Sequence, residues 1–348
     1  GQGEPGSVVD DLISSIDFGP TVLNLAGLPV PEVMQGRPFL GQNPAPPRDY
    51  VYGARDRMDE RYDIIRMVRD KRYRYIRNYE PLKPYYQFMN TPEKGATMME
   101  LRMVHAAGEL PEAAELFLAD RKPVEELYDL ENDPHEIRNL AGDPAHADRL
   151  DKMREVHAQW VRDTRDIGLI PEPEIELREQ AAGSRYAILA DSEDQDLPNR
   201  LGKYAALASD GPDALPELLK AIGDSDAAVR YWAATGLGNI GEAAKAEGGE
   251  LAREALKDGS AVVRVAAARA LIRMGEPTEA LPVLTKELSG PEQWTRLHAA
   301  IVLDEADEVA RPVLPELKAA LKDQPNKYII RVANRAVNDL EGTENAVP

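Results

Sequence analysis

Leu218, Leu251, Leu284 and Leu317 stand 33 residues apart, three intervals in succession. A fixed period of this length constrains a chain more tightly than composition does, because one repeat unit cannot bury its apolar face alone and must stack on neighbours. Around these leucines, "LPEL" at 215–218, "LPVL" at 281–284 and "LPEL" at 314–317 open similar helices, and Gly248-Gly249-Glu250-Leu251 fills the remaining slot. Proline sits in the first turn, where its missing N–H costs nothing. Polar turns at 224–226, 258–260, 289–291 and 323–325 end these helices, and a second helix follows each. The second helices read "VRYWAATGLGNIG", "VRVAAARALIRMG", "TRLHAAIVLDEAD" and "IRVANRAVNDLEG", led by Arg230, Arg264, Arg296 and Arg331. Their alanine pairs let neighbouring helices approach closely.

This pattern resembles HEAT-type repeats. Ankyrin shares the period, but its Thr-Pro-Leu-His signature is missing. Residues 200–209 read as half of an earlier repeat, and the expected all-α, HEAT-like solenoid spans 199–342. A solenoid offers a curved surface to a protein partner, or it caps the domain beside it. Trp232, Trp294, Tyr231 and Tyr328 are its obvious aromatic anchors.

At 348 residues the chain has room for two domains. Residues 171–198, rich in Pro, Glu, Asp and Ser, are expected to be a linker between 1–170 and the solenoid. No apolar run reaches the ~18 residues that span a bilayer, so no membrane span is expected. The net charge of -19 argues against a general nucleic-acid binder, because phosphate contacts need Lys and Arg. One island runs the other way: between Arg48 and Arg77 there are nine Arg and one Lys against six acidic residues. The chain has no cysteine, which removes disulfides, thiolate metal sites and cysteine nucleophiles together.

In the first half, "SSIDFGPTVLNLAGLPVPEVMQGRPFLG" offers Asp17 as a helix cap, Pro20 in a first turn, and an apolar helix that Gly27 stops. "YDIIRMV" (62–68) and "YRYIRNY" (73–79) flank a charged turn and read as a hairpin, with Arg66, Arg74 and Arg77 expected to face solvent. "ELYD" (126–129) supplies a further strand. From Asp143-Pro144 a helix runs to about residue 165, with Leu150, Met153, Val156, Trp160 and Val161 on one side. The expected class is α+β: a small antiparallel sheet plus one long closing helix.

In this order, "SIDFGPTVLNLAGLPVPEVMQGRPF", "YGARDRMDERYDIIRMVRDKRYRYIRNY" and "ELYDLENDPHEIRNLA" resemble the C-terminal part of a formylglycine-dependent sulfatase of the alkaline phosphatase superfamily, over residues 5–170. The resemblance implies that the catalytic N-terminal part lies outside this chain, that the helix after Asp17 packs on it, and that calcium and formylglycine belong there. It also implies a periplasmic or secreted protein. The implied activity is hydrolysis of a sulfuric ester, with a sulfated glycan as substrate. A non-catalytic scaffold, or a phosphate or phosphonate ester hydrolase of the same superfamily, are the alternatives.

The chain lacks what that chemistry needs. None of its nine serines is followed by x-Pro-x-Arg, the context of the formylglycine precursor. Asp10-Asp11 precedes a helix rather than ending an apolar strand, and is not read as a metal site. His146 and His157 lie about 16 Å apart on one helix at 1.5 Å per residue, and His105 and His298 stand alone. No catalytic or metal-binding residue is therefore expected in this chain, which should be inactive by itself. What remains is substrate selection: in "ARDRMDE" (54–60), Arg55, Asp56, Arg57 and Asp59 are the candidate substrate-binding residues. A guanidinium can fork onto a sulfate, and a carboxylate can accept from sugar hydroxyls. The competing reading is a salt-bridged solvated loop.

Overall fold

The computed structural model describes residues 6–343. By internal contacts the chain divides into two compact units that interleave along the sequence. Among the described residues the first comprises 6–54, 65–77 and 125–157; the second takes 55–64, 78–124 and 158–343.

The first unit opens with helix α1 (Phe18–Leu25) and holds a four-stranded sheet in the order β1 (Val51–Arg55), β2 (Ile65–Arg69), β3 (Tyr73–Asn78) and β4 (Glu125–Asp129). The expected hairpin is β2–β3, closed where Asp70 N–H donates to Tyr73 O at 3.0 Å. β3 and β4 run antiparallel with Tyr75 opposite Leu127 and Arg77 opposite Glu125. Alternation puts Val68, Tyr75 and Leu127 on one face, where they form a core with Leu140, Leu150 and Met153. The last two lie on helix α5 (Ala147–Asp163), which begins in this unit; its start is fixed by Asp143, whose carboxylate accepts from Ala145 N–H at 3.0 Å.

The segment 126–141 gains a use its spacing did not reveal. The side chain of Asn139 accepts from Leu127 N–H at 3.0 Å and donates to Glu125 O at 3.0 Å, while Leu140 N–H donates to Leu127 O at 2.8 Å. Asn139-Leu140 thus covers the open edge of β4, which would otherwise offer unpaired backbone groups to another chain.

Two expectations for the first unit need correction. Arg66 and Arg77 do not face solvent: they are 1% and 8% exposed. They share face parity with Val68 and Tyr75, and Arg77 reaches Glu125 at 3.7 Å, a carboxylate that Arg154 and the Tyr75 hydroxyl also engage. Asp17, in turn, stands at the N-cap of α1, but its side chain does not cap that helix. Its buried carboxylate accepts from Ser14 N–H at 2.8 Å, Arg37 N–H at 2.8 Å and Arg48 Nη2 at 2.7 Å. Burial works to raise its pKa, yet those donors hold it below the usual value. Gly36 belongs to the same knot: a Cβ there would sit 2.0 Å from Ile16 O.

The second unit holds α2 (Asn90–Glu93), α3 (Ala96–Ala106), α4 (Glu112–Leu118), α6 (Glu172–Ala182), α7 (Ala187–Ala190) and α8 (Leu197–Leu207). The helix pairs foreseen from the 33-residue period follow: α9 (Leu215–Ala221) with α10 (Ala227–Ile240), α11 (Lys245–Ala255) with α12 (Ala261–Arg273), α13 (Pro277–Leu288) with α14 (Gln293–Glu305), and α15 (Leu314–Ala319) with α16 (Lys327–Glu341). Of the periodic leucines, Leu218, Leu284 and Leu317 are fully buried and Leu251 is half-buried. Gly236 and Gly238 allow the closest approaches, since a Cβ would lie 2.7 Å from Leu218 Cδ1 at the first and 3.1 Å from Ala270 Cα at the second.

The arginine that leads each second helix ties one repeat to the next. Arg230 donates to Asp224 O in its own turn at 2.9 Å and to both carboxylate oxygens of Asp258 in the following turn, at 2.7 and 2.9 Å. Arg264 repeats this with Asp258 O and Glu287, and Arg296 with Gly290 O and Gln324. The Arg230–Asp258 pair, bidentate and partly buried, is the strong form of the ion pair.

The stretch 171–198, expected as a linker, carries α6 and α7 and buries Ile175, Ile188, Leu189 and Leu197 in the core of the second unit. Pro171 and Pro173 sit at the start of α6, where proline is tolerated, so they initiate rather than interrupt. Limited trypsin digestion is expected to cut at Arg185, within the exposed run 181–186, and to spare Arg178, which is 20% exposed and bound to Asp226 at 3.0 Å. Mass spectrometry of the first fragments checks this; early cleavage at Arg178 would mean that α6 is not held.

Candidate functional site

The sequence points to residues 54–60, and the structure shows how that segment is held. Met58 and Arg61 exchange backbone hydrogen bonds of 2.8 and 2.9 Å, closing a tight turn. Asp59 occupies the left-handed region at φ 48°, a conformation that Asp tolerates better than most residues. Side chains radiate from this turn. Arg57 donates from Nε to Glu172 at 2.7 Å and from Nη1 to Asp59 O at 2.9 Å, and its guanidinium lies 4.2 Å over the Trp294 ring and 5.5 Å from Tyr328. Asp59 accepts from the Tyr328 hydroxyl at 3.0 Å, which raises the pKa of that phenol. Burial pushes Glu172 up, against the opposing pull of Arg57.

The next two residues continue the pattern. Glu60 is buried; it accepts from Asn90 N–H at 2.6 Å and faces Arg331 at 3.3 Å. Arg331 is the last arginine of the repeat ladder. It takes Glu60 rather than a turn carboxylate. Arg61, also buried, donates to Asp304 at 2.7 Å and to Phe88 O at 2.6 Å. Thus the aromatic anchors Trp294 and Tyr328 on α14 and α16 are occupied by the chain's own 57–59 segment. The Arg57–Trp294 contact is worth about 1 kcal/mol for a partly desolvated cation–π pair.

Arg55 ends β1 and is placed differently. One-third of its side chain is exposed, and its Nη1 stands 4.0 Å from Asp63, a carboxylate already bound by Lys122 at 2.6 Å. Asp56 is half-buried beside it. Of the four candidates, then, Arg57 and Asp59 are brought together on the α14 and α16 aromatics, while Arg55 stands toward Asp63.

A sequence model for HEAT repeats matches residues 185–247 and 250–338. An ulvan-active sulfatase of Formosa agariphila is 42% identical over 164 residues, which is 47% of this chain and 28% of the relative. A second ulvan-active sulfatase of that organism is 32% identical over 47% of this chain and 32% of the relative. The human N-sulphoglucosamine sulphohydrolase is 26% identical over 46% of this chain and 34% of the relative. The first half is sulfatase-related, and the second half carries HEAT repeats. The chain spans about a third or less of the length of these curated relatives.

The residues present do not fit the cofactors the sulfatase resemblance implies. Among the described residues no group of three or more His, Asp or Glu side chains is arranged to hold a metal ion. Asp10 and Asp11 are exposed. No cysteine, and no serine in the required context, is available for conversion to formylglycine. No described helix is long and apolar enough to cross a membrane. Sequence reasoning missed Glu60, Arg61 and Asp304. One signal was present: Trp294 and Tyr328 stand near the start of their helices, where α10 and α12 carry only alanine and valine.

Proposed function

We propose that this chain is the C-terminal portion of a sulfuric-ester hydrolase acting on a sulfated polysaccharide, and that its HEAT repeats brace the loop at the mouth of the catalytic site. The reading rests foremost on the 42% identity to an ulvan-active sulfatase, together with an apolar helix face that the chain leaves uncovered. Phe18, Val22 and Leu25 recur at helical spacing on α1 and are 57%, 64% and 58% exposed. Such a face calls for a partner. Relatives that extend well beyond the matched region supply one candidate, their remaining sulfatase portion, and we assign the face to it. Calcium and formylglycine belong to that portion, and the whole protein is periplasmic or secreted.

Within this reading Arg55 and Asp56 contact the anionic substrate, and Arg57 and Asp59 hold the loop that carries them. In the whole protein, Arg55→Ala is expected to lower kcat/KM on a sulfated oligosaccharide roughly tenfold or more, the range for hydrogen bonds to charged groups, with a smaller fall in melting temperature than Arg57→Ala because its pair with Asp63 is long at 4.0 Å. Arg57→Ala is expected to lower the melting temperature as well. Equal activity losses matched by equal melting losses would assign both residues to structure alone.

The decisive experiment pairs the whole protein with the 348-residue chain. The whole protein should release sulfate from a sulfated polysaccharide, and the chain alone should neither do so nor bind calcium at micromolar concentration. Val22→Asp should leave the melting of the chain unchanged and abolish turnover in the whole protein. Phosphate release without sulfate release would favour a phosphoesterase, and no hydrolysis of either ester would favour a scaffold.

A further inference from the structure

The second unit contains a cavity of about 410 Å³ that no part of the proposed function uses. It opens between the repeat helices α12, α14 and α16 and the segments 82–88 and 118–120. Its volume lies within the roughly 300–1,000 Å³ of small-molecule sites, but its wall is ionic rather than apolar. Six Lys or Arg side chains line it against four Asp or Glu, in a chain whose net charge is -19.

Most of those charges are already matched. Arg61 holds Asp304 at 2.7 Å, Arg269 holds Glu305 at 3.1 Å, Arg102 holds Glu93 at 2.5 Å, and Lys83 lies 3.6 Å from Glu80. Arg335 has Asp339 at 3.1 Å. Arg273 is the exception: among the described residues no carboxylate lies within ion-pair distance of it. Its Nε donates to Gly238 O at 2.7 Å, which fixes the plane of the guanidinium and leaves the Nη donors for something else. Arg273 is exposed toward the cavity, and the positive charge of Arg269 and Arg121 opposes the longer-range pull of Glu305 and Glu80 on it.

Acceptors stand on the same wall. Asp307, exposed and held at φ 46°, and Asp120, also exposed, line the cavity. Phe88 supplies a ring held between Arg335, 4.7 Å from its centroid, and Arg102, 5.8 Å away. An oriented guanidinium with no carboxylate in direct contact, carboxylates able to accept from hydroxyls, and a fixed aromatic ring together suit a ligand that carries one oxyanion on a polyhydroxylated body. We propose that this cavity is a binding site for an anionic saccharide, with a sulfate or carboxylate group on Arg273 and sugar hydroxyls on Asp307 and Asp120. The oxyanion and hydroxyl chemistry comes from the cavity itself; the choice of a saccharide body rests on the proposed function.

Isothermal titration of the 348-residue chain tests it without any turnover, so a failure of the sulfatase reading and a failure of this site are separate results. The probes are a monosulfated disaccharide, a uronate-containing disaccharide, a neutral disaccharide and inorganic sulfate. Saturable binding of either anionic disaccharide, with none of the neutral one, is expected, and the two arms identify which oxyanion the site takes. Arg273→Gln should weaken that binding about tenfold or more, and Lys203→Gln, on an exposed pair elsewhere on the solenoid, should leave it unchanged. If Arg273→Gln fails to fold, Asp307→Asn decides, and a severalfold weakening is expected. The site is overturned if neither anionic disaccharide binds saturably, or if a folded Arg273→Gln binds like the parent chain. Inorganic sulfate binding as tightly as the disaccharide would overturn the saccharide assignment.

Discussion

Lys122→Met is expected to destabilise the protein by about 3 to 5 kcal/mol, the cost of leaving one member of a buried ion pair without its partner. Lys122 and Asp63 meet at 2.6 Å with no side-chain exposure on either. Burial pushes the Lys122 ammonium below its ordinary pKa even against the attraction of Asp63, so desolvation outweighs the pair's Coulomb energy. The remaining contacts of Asp63 do not replace the lost charge: Gln87 stands at 3.3 Å and Arg55 at 4.0 Å, and the Ile64 N–H at 2.9 Å is neutral. Against a typical stability of about 5 to 15 kcal/mol this is a large fraction. Adding Asp63→Asn to Lys122→Met should return most of the loss, because the orphaned charge goes with it. Urea unfolding of the single and double variants measures this directly. A single variant within about 1 kcal/mol of the parent, or a double variant no better than the single, would show that the pair is not buried as a unit.

How far the sequence reached depends on the distance over which each feature is encoded. The repeat period was legible because each helix pair carries its own leucine, turn and arginine within 33 residues. The β2–β3 hairpin and the Glu125–Asp129 strand were legible for the same reason: their turns and alternation are local. The partners of residues 57–61 were not. Arg57 finds Glu172 at a separation of 115 residues and Arg61 finds Asp304 at 243, and a charge-rich stretch looks alike whether it is solvated or pinned. Arg66 and Arg77 misled in a related way. Strand alternation placed them on the core face, but their charge suggested solvent, and the period was the better guide. The stretch 171–198 was read from its composition, whereas Ile175, Ile188 and Leu189 carry the information that matters there. For the candidate site, the sequence located the segment, and only the fold separated Arg55, at the end of a strand, from Arg57, stacked on Trp294.

The second large effect is a loss of stability on acidification that traces to one imidazole. His298 on α14 is buried with its ring 4.5 Å from that of Tyr62, and its Nε2 has no hydrogen-bond partner among the described residues. A small cavity beside it is also lined by Glu80, Lys83, Tyr231, Arg269 and Glu305. Burial lowers the His298 pKa to about 3, with Lys83 and Arg57 adding to the shift and Glu305 opposing it. In the unfolded chain the same group titrates at about 6.5. Between those values the unfolded state binds a proton that the folded state refuses, so stability falls as pH falls. The contribution is fully present above about pH 6.5 and lost progressively toward pH 3; between pH 7 and pH 4 it amounts to about 3 kcal/mol. Carboxylates such as Asp17, held below its usual pKa by its donors, act in the same direction lower in the range, so the parent protein alone cannot apportion the loss. His298→Leu isolates it: an apolar side chain of similar volume removes both the titration and the unsatisfied nitrogen. Measured at half-unit pH steps, the unfolding free energy of the variant minus that of the parent should grow by about 3 kcal/mol as pH falls from 7 to 4. Parallel curves across that interval would mean that the folded protein accommodates the imidazolium, with Glu80 and Glu305 as the groups able to receive it.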